Sequence, residues 1–107
     1  MYQIGLSVRK ENDFFFSIQP TLYRFHMYEF RSVMYLDLLQ DDEYIYAGKK
    51  VLINQWLIPP VVSVEGGNLR FEAYKADGDS YVWWEDLNKK FRLVGYDASE
   101  MKELTDR

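Results

Sequence analysis

The sequence predicts an all-β protein, a single antiparallel β-sandwich or small barrel of about eight short strands that spans residues 1–107. Three observations lead to this fold class. Apolar and polar residues alternate in several short stretches, as they do in strands that bury one face. Gly, Pro, Asn and Asp separate these stretches at short intervals. Helical spacing is confined to a short C-terminal extension.

In the first half of the chain, alternation marks each strand and polar clusters mark the turns. Asn12 and Asp13 form a good turn pair, which predicts a turn between the first two strands. Met34, Leu36 and Leu38 share one face of a strand, and the polar residues 40–43 after it predict a hairpin. The predicted strands are residues 2–8, 14–19, 23–30, 34–38 and 44–46.

The second half repeats this pattern with stronger turn signals. Residues 51–58 are predicted to form a strand that ends at two prolines, and residues 61–64 form a short β-branched strand. Glycines next to Asn68 and Asp77 predict turns at residues 66–68 and 77–78. The clearest strands are residues 69–73 and 91–96. Residues 97–107 form either a short helix that Ser99 caps or a frayed tail.

The composition provides more large apolar side chains than one small core readily buries. Hydrophobic residues make up 48% of the 107 residues and aromatic residues 18%. Each buried aromatic side chain removes about 150 to 250 Å² from water. We therefore expect some of the rings to form a contact surface. The strand phases predict a core of Leu36, Leu38, Leu69, Phe71, Phe91 and Leu93.

Charge and residue usage exclude several classes of partner. The net charge is −4, and Lys and Arg do not form the cluster that binding to a phosphate backbone needs, so no nucleic-acid specificity is expected. The chain has no cysteine, which fits a reducing compartment. No apolar run approaches the roughly 20 residues that cross a bilayer, and residues 1–10 do not resemble a signal peptide. Synthesis in the cytoplasm without membrane insertion is expected.

No stretch of the chain has the pattern of a catalytic, cofactor-binding or metal site. His26 is the only histidine, no carboxylate lies at a ligand spacing from it, and a surface or packing role is expected. The acidic residues at 41–43 and 77–79 match no complete calcium loop. The Gly-x-Ser-x-Gly motif that holds the nucleophile of serine hydrolases is absent. Gly66-Gly67 lacks the following helix that a phosphate-binding loop requires. The protein is therefore predicted not to be an enzyme, and no cofactor is expected.

One aromatic cluster has a plausible functional role. Tyr81, Trp83 and Trp84 are nearly consecutive, and strand geometry would send Trp83 and Trp84 to opposite faces. The cluster could anchor a protein interface, pack in the core or stack on a sugar. Because Trp and Tyr are enriched among interface hot spots, these residues and Trp56 are the candidate protein-interface residues.

The order of these elements resembles the small phage baseplate plug proteins of the cyanophage type. The resemblance covers about residues 14–96, whereas Trp83-Trp84 and residues 97–107 depart from the family pattern. The motifs that carry it are Met34-Tyr-Leu-Asp-Leu, Tyr46-Ala-Gly, residues 52–59, Gly67-Asn-Leu-Arg-Phe-Glu-Ala, Asp77-Gly78 and Phe91-Arg-Leu-Val-Gly-Tyr.

The resemblance implies a structural virion protein without enzymatic activity. Proteins of this family are placed near the central hub of a contractile tail and help to close the lower end of the tail tube. The implied location is the tail baseplate, and the implied partners are the hub, spike and tail tube in a symmetric multimer. A small β carbohydrate-binding module is the alternative. A hydrolase would require His26 beside a carboxylate and a hydroxyl in one cleft.

Overall fold

Strands make up more than half of the residues that the structure describes. A computed structural model describes residues 1–18, 21–59, 66–75 and 81–105. The part so described contains seven strands in two antiparallel sheets, which confirms the all-β fold but not the predicted count of about eight. The elements are β1 (Tyr2–Ile4), β2 (Glu11–Ile18), β3 (Thr21–Phe30), β4 (Val33–Gln40), β5 (Glu43–Lys50), β6 (Asn68–Ala73), a 3₁₀ helix (Trp84–Asp86), β7 (Phe91–Tyr96) and α1 (Ala98–Thr105).

The strands are arranged as a four-stranded and a three-stranded sheet. The first sheet has the order β2-β3-β4-β5, so that consecutive strands are joined as hairpins. The second has the order β1-β7-β6, which brings the two ends of the chain together in one sheet. The hairpin predicted from the polar residues 40–43 is confirmed, because β4 and β5 pair directly across residues 41 and 42.

The core contains apolar side chains from both sheets. The six residues predicted to form it are each at most 2% exposed, which confirms the strand phases on which that prediction depended. The ring of Phe14 on β2 stacks on Phe25 of β3 with centroids 5.0 Å apart. Truncating a large core side chain typically costs about 2 to 5 kcal/mol.

Residues 51–58 do not form the predicted strand. Leu52 and Ile53 make only isolated bridges, to Tyr81 and Phe71, and Asn54 then takes a positive φ of 59°. Val51, Leu57 and Ile58 are nevertheless buried, and Leu57 donates a backbone hydrogen bond to Leu69 at 3.0 Å. This segment therefore lies along the edge of β6 as an irregular stretch instead of a regular strand.

The predicted turn at Asn12-Asp13 is also wrong, because both residues lie within β2. The side chain of Asn12 accepts a hydrogen bond from the Ser7 backbone at 3.0 Å and donates one back at 2.9 Å. These two bonds connect Asn12 to Ser7, five residues earlier, and so hold the turn that precedes β2. As a result β1 ends at Ile4, well before the end of the alternating stretch.

The C-terminal extension is a helix, and Asp97 caps it instead of Ser99. The Asp97 carboxylate accepts a hydrogen bond from the Glu100 backbone at 2.8 Å, and the Glu100 carboxylate accepts one from the Asp97 backbone at 3.1 Å. This reciprocal pair is a capping box, which satisfies two backbone donors at the helix start. The predicted strand at residues 61–64 and the acidic turn at residues 77–79 lie outside the described residues.

Candidate protein interface

Tyr81 and Trp83 line a surface pocket at one end of the four-stranded sheet. Between them Val82 is buried and donates a backbone hydrogen bond to Val51 at 3.3 Å, which fixes the segment beside the end of β5. Tyr81 itself is 62% exposed. The pocket has a volume of about 400 Å³, and we call it the aromatic pocket. Its lining consists of Ser32, Val33, Met34, Lys50, Val51, Tyr81, Val82 and Trp83.

The expectation that Trp83 and Trp84 point to opposite faces is wrong. Their ring centroids are 6.2 Å apart at an angle of 50°, and both rings are partly buried against the core. The reason is local, because the chain enters a 3₁₀ helix at Trp84 and abandons the alternation of a strand. Trp83 keeps a polar contact at the surface, where its indole N–H donates to Glu85 Oε1 at 3.3 Å.

Trp56 belongs to a different group of contacts, beside the three-stranded sheet. Its ring meets Tyr96 edge-on at 5.5 Å, and the Arg70 guanidinium lies 4.5 Å from its centroid. Such cation–π contacts contribute about 0.5 to 1 kcal/mol at exposed sites. The structure thus separates Trp56 from the pocket residues and makes it part of a charged aromatic network.

Glu72 is the centre of that network. Arg70 Nε donates to its Oε2 at 2.9 Å, the Tyr96 hydroxyl donates to the same oxygen, and Arg92 lies 3.6 Å from Oε1. Burial alone would raise the pKa of the Glu72 carboxyl, but these hydrogen bonds and the two guanidinium charges hold it below its usual value. The carboxylate therefore remains ionised at neutral pH and links β6 to β7.

His26 has carboxylate partners that the sequence did not reveal. Its Nε2 lies 2.6 Å from Glu11 Oε1, and its Nδ1 lies 3.6 Å from Asp37 Oδ2. Both partners lie on neighbouring strands, because β2, β3 and β4 place these residues side by side on the outer face of the sheet. Their separations in sequence carry no such signal, since the contacts depend on sheet register.

This group does not have the arrangement of a nucleophilic site. The hydroxyl in contact with this group is that of Tyr28, whose ring stacks on His26 and whose O–H donates to Asp37 Oδ1 at 3.3 Å, and Tyr44 lines the same surface pocket as His26. Burial and then the negative charge of Asp37 raise the pKa of Tyr28, which disfavours the phenolate. His26 is therefore not positioned as the base that would activate this hydroxyl.

Sequence reasoning missed two exposed hairpin tips. Phe30, at the end of β3, is 55% exposed and carries the Arg31 guanidinium 5.2 Å from its ring centroid. Tyr44, at the start of β5, is 65% exposed and follows three acidic residues. The signal available in the sequence was the position of a large ring directly beside a charged two-residue turn.

Two classes of site were searched for in the described part of the chain. None of its helices is long and apolar enough to cross a membrane. Within the same residues, no group of three or more His, Asp or Glu side chains is arranged to hold a metal ion.

A family model described as the cyanophage baseplate Pam3 plug gp18 matches residues 1–98. The chain belongs to this baseplate plug family. No curated protein matches the sequence. The matched region is wider than residues 14–96 and includes Trp83 and Trp84, whereas nearly all of α1 lies beyond it.

Membership of the baseplate plug family defines the role of the protein. It is a structural plug of the virion's tail baseplate and associates with other baseplate components. A structural family of this kind suggests a protein that is not an enzyme. The family match gives no support to the carbohydrate-binding module.

Proposed function

We propose that this baseplate plug helps to close the lower end of the tail tube near the central hub, and that the aromatic pocket anchors it there. The observation that carries the proposal is the position of Tyr81. Its ring is 62% exposed beside the aromatic pocket, whereas the neighbouring Val82 is buried and donates a backbone hydrogen bond to Val51. Tyr and Trp are enriched among interface hot spots, which cluster in well-packed pockets.

The proposed partners are the hub, spike and tail tube proteins, and the plug is proposed to act as a symmetric multimer made in the host cytoplasm. Trp83 lines the same pocket as Tyr81, and the other two candidate interface residues, Trp56 and Trp84, are proposed to contribute further ring surface. In a symmetric assembly each contact recurs at every copy, so a modest gain per subunit is multiplied.

Packing, and not charge, supplies most of the proposed anchoring free energy. Burying a central aromatic residue in an interface can contribute about 2 kcal/mol or more. An exposed ion pair contributes only about 0 to 1 kcal/mol and is screened by salt. Raising the salt concentration is therefore expected to leave the plug in assembled baseplates.

The test is to replace Tyr81 with alanine and measure incorporation of the plug into baseplates. The substitution is expected to reduce incorporation without changing the melting temperature, because Tyr81 is exposed in the isolated subunit. Phe15→Ala is the matched control, since Phe15 is similarly exposed, at 56%, on the outer face of the four-stranded sheet.

Trp83→Phe is the companion variant, because it keeps a ring against the core while it removes the indole N–H. Undiminished incorporation of both variants would reject the anchoring role. An assembled structure in which Tyr81 and Trp83 touch only their own subunit would reject it as well.

A further inference from the structure

The outer strands are β2 and β5 in the four-stranded sheet, and β1 and β6 in the three-stranded sheet. An outer strand presents a row of backbone N–H and C=O groups that can pair with another chain. Proteins usually block such edges with bulges, lysines, very short strands or a covering segment. In the part of the chain that the structure describes, three of these four edges are blocked in such ways.

Each of the three blocked edges uses a different device. β5 pairs irregularly with β4, takes a positive φ of 69° at Gly48 and ends in two lysines. β6 is covered by the irregular segment of residues 51–58, in which the Asn54 N–H donates to the Phe71 carbonyl at 2.7 Å. β1 has only three residues. These three edges therefore offer no long, regular strand to a partner.

β2 shows none of these devices. Its eight residues pair with β3 one for one and without a bulge, and they include no Lys, Pro or Gly. Within the described part of the chain, no segment pairs with the other side of β2. The two acidic residues of β2 do not block this edge, because Glu11 lies 2.6 Å from His26 and Asp13 lies 3.8 Å from Arg24. Both carboxylates are thus directed over β3 and away from the edge.

The register of the sheet shows which backbone groups of β2 point outward. The N–H and C=O of one strand residue point to the same side, and those of the next residue point to the opposite side. The Met34 carbonyl accepts the Val51 N–H at 3.1 Å on the β5 side of β4, which fixes this alternation for β4. Carried through the residue pairs of β4 and β3, it directs the backbone groups of Phe14 towards β3. Those of Asp13 and Phe15 therefore point away from the sheet.

We propose that the β2 edge is a strand-addition site, at which an extended segment of another baseplate protein adds a fifth strand to the four-stranded sheet. Main-chain hydrogen bonds supply the affinity in this mode of recognition. The outward groups of Asp13 and Phe15 recur at every second residue, about 7 Å apart, which is the repeat of an extended partner. The plug associates with other baseplate components, which are the source of such a segment.

The occupant of the β2 edge is a different protein and not a second plug. Pairing of β2 with the β2 of another copy joins a surface to itself, which is a two-fold contact. A multimer that repeats one contact around the tail axis instead joins two different surfaces of neighbouring copies. The described strands include no second regular edge that could be the other surface. This choice of occupant rests on the symmetric arrangement proposed above.

Hydrogen exchange in the isolated subunit tests whether the β2 edge is free. The amides of Asp13 and Phe15 are expected to exchange rapidly, whereas those of Phe14 and Phe16, which pair with β3, should be protected. The expected difference in exchange rate is about a hundredfold or more. Equal protection of the two sets would overturn the inference, because the edge would then already be covered.

Removal of one outward N–H tests whether the edge is used. Phe15→Pro removes that N–H, and proline is tolerated where an edge strand faces solvent. The variant is expected to fold and to lose about tenfold or more of its incorporation into baseplates. Phe15→Ala is the matched control, because it removes the ring but keeps the N–H, and it should incorporate normally. Incorporation of Phe15→Pro at the parent level would overturn the inference.

A backbone ester keeps the test valid if Phe15→Pro fails to fold. Phenyllactic acid at position 15 replaces the N–H with an oxygen atom and keeps the phenyl ring. It removes the same hydrogen-bond donor without the fixed φ of proline. Normal incorporation of the ester variant would overturn the inference as well.

A photo-cross-linker at the edge identifies the occupant. Benzoylphenylalanine in place of Asp13 is expected to link the plug, in illuminated baseplates, to an extended segment of one other baseplate protein. Peptide mass spectrometry then identifies that segment. The same probe in place of Glu103, which is exposed on α1, should not label it. Links from position 13 to a second plug, or no links at all, would overturn the assignment.

The outcome does not depend on the aromatic pocket. β2 and β5 are the opposite outer strands of one sheet, so the β2 edge lies about 14 Å from β5 at roughly 4.8 Å between neighbouring strands. Tyr81→Ala leaves the β2 edge intact, and Phe15→Pro leaves the pocket intact. A loss of incorporation from only one of these two variants therefore shows which of the two contacts holds the plug.

Discussion

The buried side chain of Asn68 attaches the irregular segment of residues 51–58 to the edge of the three-stranded sheet. We therefore expect Asn68→Ala to destabilise the fold strongly. The side chain is almost fully buried, with 7% of the residue exposed. Its Oδ1 accepts hydrogen bonds from the Ile58 N–H at 3.0 Å and the Leu69 N–H at 2.8 Å, and its Nδ2 donates to the Ile58 carbonyl at 2.8 Å. The amide thus pairs with Ile58 as a neighbouring strand would.

The size of the effect follows from the backbone groups that alanine leaves behind. Two N–H groups and one carbonyl lose the side-chain partner in a buried region, and each unsatisfied buried group costs about 1 to 3 kcal/mol. Partial relaxation of the segment recovers some of this, so we expect a loss of about 3 kcal/mol. A small domain has only about 5 to 15 kcal/mol of total stability.

Urea unfolding monitored by circular dichroism measures the loss. For a slope of about 1 to 3 kcal/mol per molar urea, the midpoint should fall by about 1 to 3 M. Asn12→Ala is the control, because Asn12 makes a similar pair of bonds to Ser7, whose freed backbone groups lie in an exposed turn that water can reach. A loss for Asn68→Ala no larger than that for Asn12→Ala would refute the reasoning.

Four other substitutions test the remaining structural assignments. Leu36→Ala and Phe71→Ala should each cost about 2 to 5 kcal/mol, and parent-like thermal melts for both would show that the strand phases are wrong. His26→Ala should leave assembly nearly unchanged and alter the unfolding free energy by about 1 kcal/mol or less, because its contacts lie at the surface, and loss of infectious particles with a normally folded subunit would contradict this. Because the folded pKa of Glu72 is depressed, its contribution is present above the unfolded value of about 4.3 and is lost as pH falls through the folded value. Glu72→Gln should therefore destabilise the plug at pH 7 and flatten its acid unfolding profile below pH 5, and an unchanged profile would argue against the network.

The predictions that succeeded depend on local pattern alone. Leu36 and Leu38 on β4, and Phe71 and Leu93 on β6 and β7, are buried where alternation placed them. A strand that buries one face reveals its phase in its own sequence, because a shift by one residue would expose every apolar side chain. The two-sheet architecture follows, since several such strands must cover their apolar faces with one another.

The predictions that failed depend on contacts between distant residues. Residues 51–58 have the composition of a strand, yet the Asn68 side chain binds Ile58 and holds the segment irregularly along the edge of β6. Asn12 and Asp13 have the composition of a turn, yet pairing with β3 keeps both in β2. In each case hydrogen bonds to residues distant in sequence override the local propensity of the segment. The sequence of the segment alone does not encode those bonds.

The candidate interface could be predicted only in part, because sheet register assembles it. Tyr81 and Trp83 were identifiable from ring content, but the pocket beside them requires Lys50 and Ser32 as well. The bridge between Leu52 and Tyr81 brings these residues together across distant positions in the chain. A catalytic site can often be recognised from a sequence motif. A packing surface has no such motif, because it consists of the rings that remain exposed after the core has formed. For this baseplate plug, the sequence feature that points to an interface is therefore the surplus of aromatic residues, and the fold decides which of those rings are exposed.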